Sequence, residues 1–463
     1  MIYKSLLISS LATSLIISSS FSLELGVLTK TSKNDLTLNK VVELSLINDP
    51  WLLGNQYLQQ SIESKSIAAG TLRDPKISIN GSSLPTDTFD VNQEAMTQLK
   101  FGISQVFPRG DTLALKREQL QLKASQFPHQ REDRKSRLAV KVAQLWLDAY
   151  KAQISIDLIQ KDRSLFEQLV DVAESSYSSA LGKTRQQDIV RAQLELTRID
   201  DKLTVLRQKK EMLLYRLSQW LYDFSNEEQL NDNVLKSINL VLPQRTPNIK
   251  MINPQAFNIK NNSNTLLEFF KEHPSIKNID QKIKSTSKGI PLAKQKYKPQ
   301  FGINASYGLR DDTKMGQNRA NLFSAGVTFD LPIFTQNRQD KELQAAILKT
   351  KAVKTEKVLL LRKLLSSFET TKAGLKRLKQ RDTLYSSTLM PQINEQAEAS
   401  LTAYTNDDGD FAEVVRSRIA QLKAKIEVLN INVEIQKNIV KLNYLFINKS
   451  DDILKTIYTK GDS

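Results

Sequence analysis

The hexapeptide INDPWL (residues 47–52) has a counterpart much later in the chain, KEHPSI (residues 271–276). Both place a polar residue, and then an acid or a histidine, directly before a proline. Pro50 and Pro274 are 224 residues apart, and the same shift aligns Pro75 with Pro299, Gly102 with Gly326, Pro108 with Pro332 and Glu118 with Glu342. A constant offset over so long a stretch indicates a duplication, because the period is too long for a solenoid repeat.

Each copy contains a helical stretch, two short strands and two very long helices that form a hairpin. This order predicts a chain that is mainly α-helical, with four strands in all. The predicted divisions are a first repeat (23–225), a linker (226–263), a second repeat (264–447) and a C-terminal tail (448–463). The linker is expected to lie at the equator of the helical part.

The strands are predicted from strict alternation of apolar and polar residues. In residues 321–331, Phe323, Val327 and Phe329 alternate with Ser324, Gly326 and Thr328. A period of two with one apolar face is typical of a strand, and runs of about ten residues suit a tilted membrane strand. An ordinary sheet packed on a helix explains the pattern equally well. The predicted strands are 76–83, 97–107, 300–308 and 321–331.

Heptad spacing predicts the long helices. One apolar series runs from Leu138 to Ile159, is interrupted around Arg163 and resumes at Phe166. Spacing by alternating threes and fours is typical of a coiled coil. We therefore expect hairpin tips near Gly182 and near residues 407–409. Pro128 should kink or interrupt the first long helix.

Composition excludes several kinds of site. The 463 residues include no cysteine and only two histidines, which rules out disulfides and leaves few zinc ligands. The net charge is +16, but the lysines and arginines are interspersed with acidic residues. We therefore interpret the basic residues as parts of solvated helix faces and expect no nucleic-acid partner. Neither a phosphate-binding glycine loop nor a Ser-His-Asp set is evident. We therefore expect that the protein is not an enzyme and that it binds no cofactor and no metal.

The N-terminus has the pattern of a secretory signal peptide, which we place at residues 1–22. Lys4 precedes a short apolar run, and Ser20 and Ser22 fit the cleavage pattern. No later segment has eighteen uninterrupted apolar residues, so any membrane insertion must use strands. Because four strands cannot close a barrel, and three chains would supply twelve, a trimer is the simplest solution.

The sequence resembles the outer-membrane efflux protein family, the TolC-like exit ducts. The resemblance rests on the duplicated proline motifs, on FPRG (107–110) and LPIF (331–334) after the strands, and on the tip patterns SYSSALGKTRQQDIVRAQ (176–193) and AYTNDDGDFAEVVRSR (403–418). It implies a homotrimer with a twelve-stranded β-barrel in the outer membrane of a Gram-negative bacterium and a periplasmic α-helical barrel. It also implies outer-membrane lipid, a periplasmic adaptor and an inner-membrane transporter as partners, in efflux or type I secretion.

A duct needs a gate rather than catalytic residues. A carboxylate ring repeated by three-fold symmetry favours cations. The resemblance places the first acid of such a ring at Glu413, whereas Arg416 occupies the second acidic position. The remaining candidates are Asp188, Arg191, Asp407, Asp408 and Asp410, with Gly182 and Gly409 at the tips that would dock the adaptor.

Two alternatives remain open. NDDGD (406–410) also suits a plain solvated turn, and it resembles a fragment of a calcium loop without the required spacing. The whole chain could instead be a soluble, exported coiled-coil scaffold. Trp51 is expected to be a packing anchor, and Lys100 is expected to point into the lumen.

Overall fold

The computed structural model describes residues 36–178, 185–221, 242–254, 263–406 and 408–457. The predicted signal peptide, Gly182 and Asp407 lie outside the described residues. The described chain is mainly helical and contains one four-stranded sheet. None of the described helices is both long and apolar enough to cross a membrane.

The sheet is antiparallel and its strand order follows the sequence. It consists of β1 (Lys76–Ser82), β2 (Gln98–Val106), β3 (Gln300–Leu309) and β4 (Leu322–Asp330). β1 and β3 begin 224 residues apart, as do β2 and β4. β2 pairs with β3, so the two repeats join through a strand pair between them.

The first repeat contains five described helices. They are α1 (Leu38–Ile47), α2 (Pro50–Ala69), α3 (Thr112–Ala124), α4 (Gln126–Ser178) and α5 (Gln186–Leu221). The predicted interruption falls at Ser125, between α3 and α4. Pro128 is the third residue of α4, in the first turn, where its missing N–H group costs no helical hydrogen bond. The unbroken rod is therefore the 53-residue α4, which is about 80 Å long.

The second repeat follows the same plan. Its helices are α6 (Ser263–Lys271), α7 (Pro274–Ser287), α8 (Gly289–Lys294), α9 (Gln339–Leu384), α10 (Met390–Thr405) and α11 (Phe411–Leu445), followed by α12 (Ser450–Ile457). A π-helical turn, Tyr385–Leu389, joins α9 to α10 just before Pro391. The first arm of each hairpin therefore consists of two α-helices, α3 with α4 in the first repeat and α9 with α10 in the second.

The two proline motifs are breaks between helices. Asp49 caps α2 by accepting a hydrogen bond from the Trp51 N–H group at 3.3 Å, and Pro50 is the first helical residue. His273 caps α7 in the same way, with Nδ1 accepting from the Ser275 N–H group at 3.2 Å. Proline suits the first helical position because that N–H group has no partner in the helix.

Each motif is also tied to the long helices. Asp49 receives two hydrogen bonds from the Arg134 guanidinium, at 2.8 and 3.2 Å, and its side chain is 1% exposed. The same guanidinium lies over the Trp51 ring, 5.6 Å from its centre, and this ring is 40% exposed. In the second repeat, His273 Nε2 lies 3.0 Å from the carbonyl oxygen of Tyr444.

The apolar core is divided along the molecule. One cluster surrounds the helix breaks and includes Trp146, Phe270 and Phe368. A second cluster lies further along the hairpins, where Ile159 and Phe166 of the first hairpin meet Phe411 and Val415 of the second. The two hairpins are therefore packed side by side through buried apolar residues, of which Ile159 and Phe166 belong to the predicted heptad series.

Candidate functional site

The end of the second hairpin is a short turn held by backbone contacts. The Asp408 N–H group donates to the Ala403 carbonyl oxygen at 2.9 Å, which closes the end of α10. Asp410 begins α11 as its N-cap, accepting from the Ala412 N–H group at 3.2 Å. A Cβ atom at Gly409 would lie 2.6 Å from the Tyr404 nitrogen. Gly409 is thus required by close backbone approach, and its φ angle is not in the left-handed region.

The first hairpin returns at α5, which also begins with a carboxylate cap. Asp188 is buried, and its Oδ2 accepts from the Arg185 N–H group at 3.1 Å. The Asp188 N–H group in turn donates to the Arg185 carbonyl oxygen at 2.9 Å. A carboxylate at the third position of a helix that reaches back to the capping residue is the carboxylate half of a capping box.

These two ends come together around one cavity of about 490 Å³, which we call the tip cavity. It brings together residues that lie more than two hundred positions apart in sequence. Five of the seven predicted gate residues line it: Asp188 and Arg191 from the first hairpin, and Asp408, Asp410 and Arg416 from the second. The predicted tip residue Gly409 also lines it, whereas Glu413 does not.

At the two hairpin ends of this chain, Glu413, Asp188 and Asp410 find their partners within their own helix ends. Glu413 pairs with Arg416 of the same helix at 3.1 Å, so the acid carried over by resemblance has a basic partner one turn away. Within the described part of this chain, neither Asp188 nor Asp410 forms an ion pair with an arginine. Both carboxylates are instead aimed at backbone N–H groups, where the helix dipole favours a negative charge.

Sequence reasoning missed the aromatic pair beneath the tip cavity. Phe411 is 2% exposed, and the Tyr404 ring meets it edge-on with ring centres 5.5 Å apart. Phe411 belongs to the cluster shared by the two hairpins, so it joins the second hairpin's end to the first. Its position directly after the Asp410 cap, at the start of the apolar series on α11, was the available signal.

An ion pair between the hairpins was also missed. Buried Asp162 of α4 accepts hydrogen bonds from Lys425 of α11 at 3.1 Å through both carboxylate oxygens. Asp162 lies where the apolar series of α4 is interrupted, next to Arg163. The gap in the heptad pattern therefore marked a polar contact with the other hairpin.

The sheet forms a second surface of functional interest. The pairing register places twelve large apolar side chains on one face, which we call the apolar sheet face, and each of them is at least 39% exposed. They are Ile77, Ile79, Leu99, Phe101, Ile103, Phe301, Ile303, Tyr307, Leu309, Phe323, Val327 and Phe329. Lys100 lies on the opposite face, opposite Asn80 and Gly308, among small and polar residues.

Within the described ranges, no group of three or more histidine and acidic side chains could hold a metal ion. The recorded hydrogen bonds of the turn around Gly409 come from backbone N–H groups, those of Asp408 and Ala412. Asp408 and Asp410 act there as parts of helix ends.

No family model matches the sequence, and no curated protein matches it. Solved structures do match the fold. The outer membrane protein VceC from Vibrio cholerae superposes with a TM-score of 0.70 at 11% identity, over 88% of this chain and 95% of that one. The CmeC outer membrane channel of Campylobacter jejuni gives 0.70 at 13% identity, over 89% and 86%.

The open state of the MtrE outer membrane channel of Neisseria gonorrhoeae gives a TM-score of 0.65 at 14% identity, over 90% of this chain and 93% of that one. These likenesses extend over nearly the whole described chain and nearly the whole of each channel subunit. With its duplicated strand pairs and helical hairpins, this chain has the fold of TolC-like outer-membrane channels.

Proposed function

We propose that the protein is a passive exit duct in the outer membrane of a Gram-negative bacterium, serving a tripartite efflux or type I secretion system. It performs no catalysis. The observation that carries this proposal is the apolar sheet face. Twelve large apolar side chains on one side of a four-stranded sheet remain at least 39% exposed, with no element packed over them in the part of the chain that the structure describes.

Apolar surface of this extent is costly in water, at about 25 cal/mol for each Å² exposed. Hydrocarbon removes that cost without any protein partner. In the scaffold alternative, a helix would pack on this face and bury it. The exposure of all twelve side chains favours lipid as the occupant, while the polar face with Lys100 is suited to a water-filled lumen.

The strand edges support a homotrimer. β1 and β4 are the two edges of the sheet and pair on one side only. Unpaired backbone groups are not tolerated in hydrocarbon, so the edges require strand partners. If β4 of one copy pairs with β1 of the next, three copies close a twelve-stranded barrel above a helical barrel made from six hairpins.

In this arrangement the hairpin ends form the periplasmic entrance. We propose that Asp188, Arg191, Asp407, Asp408, Asp410, Glu413 and Arg416 line the gate. Gly182 and Gly409 would lie at the tips that dock a periplasmic adaptor, which in turn contacts an inner-membrane transporter. The tip cavity supports this assignment because it gathers charged residues from both hairpins at one end.

Fractionation and conductance test the duct. The mature protein should remain in the outer-membrane fraction, require detergent for release, and form channels in planar bilayers. Recovery in the soluble periplasmic fraction, without detergent, would sink the proposal and favour the scaffold.

The gate requires variants that keep the helix caps. Asp410→Asn with Glu413→Gln removes two charges, and asparagine caps a helix as well as aspartate does. We expect altered single-channel conductance and reduced preference for cations. The control is Glu395→Gln, an exposed acid on α10 away from the tip cavity. Conductance and selectivity that match the control would refute the gate assignment.

A further inference from the structure

A second cavity, which we call the junction cavity, lies where the sheet meets the helices. Its volume is about 440 Å³, within the range of ligand pockets. The ends of β2 and β3 contribute Val106 and Gln300 to its wall. Its charged lining consists of five cations and a single carboxylate: Arg73, Arg109, Lys116, Lys296, Arg338 and Glu342.

Two of these cations have carboxylate partners. Arg109 pairs with Asp330, and Lys296 pairs with Glu342 at 2.7 Å. The other three, Arg73, Lys116 and Arg338, have no ion-pair partner among the residues that the structure describes. Three uncompensated cations around one cavity repel one another, and an anion between them relieves that repulsion.

Two helices also begin at the junction cavity. Thr112 and Gln339, the first residues of the 13-residue α3 and the 46-residue α9, both line it. Neither helix has a side-chain hydrogen bond at its N-cap. The first N–H groups of a helix, together with its dipole, favour an anion.

A buried amide supplies an independent indication of a ligand. Gln339 is 5% exposed, and its side-chain oxygen has no hydrogen-bond partner among the described residues. Rotation of the carboxamide exchanges its oxygen and nitrogen, which would offer an N–H donor to a bound oxyanion. A buried amide oxygen without a partner is costly, so a ligand that lets the carboxamide turn and donate its N–H group gains affinity.

We propose that the junction cavity binds a phosphate group. Two arginines offer planar donor pairs, which match phosphate oxygens, and Lys116 adds a third positive charge. Leu72, Val106 and Leu292 form an apolar wall beside the cations, so the group can belong to an amphiphile. The same chemistry is met by a phospholipid headgroup or by a free phosphate.

The test uses the full mature protein in detergent. Inorganic phosphate is titrated by calorimetry at constant ionic strength. In a second arm, the protein is reconstituted in nanodiscs of phosphatidylcholine with or without phosphatidylglycerol, and retained lipid is identified by native mass spectrometry. The variant is Lys116→Gln with Arg338→Gln. The matched control, Lys349→Gln with Arg362→Gln, removes the same charges on exposed positions of α9 outside the cavity.

We expect the variant to lower affinity at least about a hundredfold, because it loses two charged hydrogen bonds and each contributes about tenfold or more. The control should leave affinity unchanged. If the variant loses the binding of inorganic phosphate that the wild type shows, a free phosphate is a sufficient ligand. If the variant loses only the retention of phosphatidylglycerol, the ligand is the lipid headgroup. If neither ligand binds the wild type, or if variant and control behave alike, the site is refuted. Circular dichroism and the charge-retaining pair Lys116→Arg with Arg338→Lys separate loss of fold from loss of charge.

The phosphate arm is independent of the duct. A soluble protein would still bind phosphate at this cavity, whereas the lipid arm requires membrane insertion. Failure of the duct proposal and failure of the junction cavity are therefore distinguishable.

Discussion

Replacing Phe411 with alanine should open the end of the second hairpin without unfolding the rest of the protein. Phe411 is 2% exposed and lies in the cluster shared by the two hairpins. Truncation of a buried phenylalanine to alanine costs about 3–5 kcal/mol. The edge-on contact with Tyr404 accounts for about 0.5–1.5 kcal/mol of that loss.

The loss should be local because the other apolar cluster, which surrounds the helix breaks and contains Trp146 and Phe368, does not include Phe411. A change of 3–5 kcal/mol raises the population of the opened tip at least about a hundredfold. Hydrogen exchange measures this directly. Amides at the start of α11 should exchange at least about a hundredfold faster, while those near Trp146 should keep their protection.

Two comparisons make this test specific. Phe411→Leu keeps most of the side-chain volume and should cost less than half as much. Phe368→Ala should weaken protection around the helix breaks rather than at the hairpin ends. Unchanged exchange at the start of α11 in Phe411→Ala would contradict the conclusion that this ring joins the two hairpins.

Three further predictions concern the helix ends. Asp49→Ala should lower the free energy of unfolding by about 2–3 kcal/mol. This is less than for a fully buried pair, because the Arg134 side chain is 34% exposed. Asp49→Asn keeps the helix cap, so its free energy of unfolding, measured by thermal unfolding, should fall by about 1 kcal/mol less. Burial lowers the pKa of His273 below its usual 6.5, so the unfolded chain binds the proton first. The contribution of His273 to the free energy of unfolding should be complete above about pH 6.5 and decline as the pH falls toward the lowered pKa. His273→Asn should remove that part of the pH dependence of unfolding, while any contribution of His129 stays in place. Gly409→Ala should cost about 1–3 kcal/mol and disturb the tip, because its Cβ would lie 2.6 Å from the Tyr404 nitrogen; equal melting temperatures for this variant and the wild type would contradict the close approach.

The duplicated order of strands and hairpins could be predicted because it depends on local patterns. Alternation set the four strands, and the observed strand starts keep the 224-residue offset that Pro50 and Pro274 revealed. The roles of the residues at the hairpin ends were harder to predict from the sequence. Asp188 and Asp410 were predicted as gate residues by their charge and position, yet each carboxylate hydrogen-bonds to the backbone of its own helix end. The DFAE sequence (410–413) carried that signal, since an acid three residues before a glutamate is typical of a helix start.

The junction cavity could not be predicted, for a different reason. Arg73, Lys116 and Arg338 are separated by up to 265 residues in sequence, and each of them alone reads as a solvated surface charge. Only the pairing of β2 with β3 brings the first repeat's cations next to the start of α9. The sheet register decides which distant cations come together, and the pattern of residues within one segment carries no information about that register.

The apolar sheet face and the two open strand edges also bear on how the protein is made. Before insertion, a folded single copy would present water with twelve apolar side chains and two rows of free backbone groups, which is a template for aggregation. The helical hairpins have their own core and can form in an aqueous compartment. The sheet should therefore be the last part to fold, and a holding chaperone has its natural substrate in residues 76–106 and 300–330. The yield of folded protein should therefore depend on the concentration of newly exported chains in two ways. At low concentration, too few copies meet and closure of the sheet is delayed. At high concentration, copies whose sheets are unshielded aggregate.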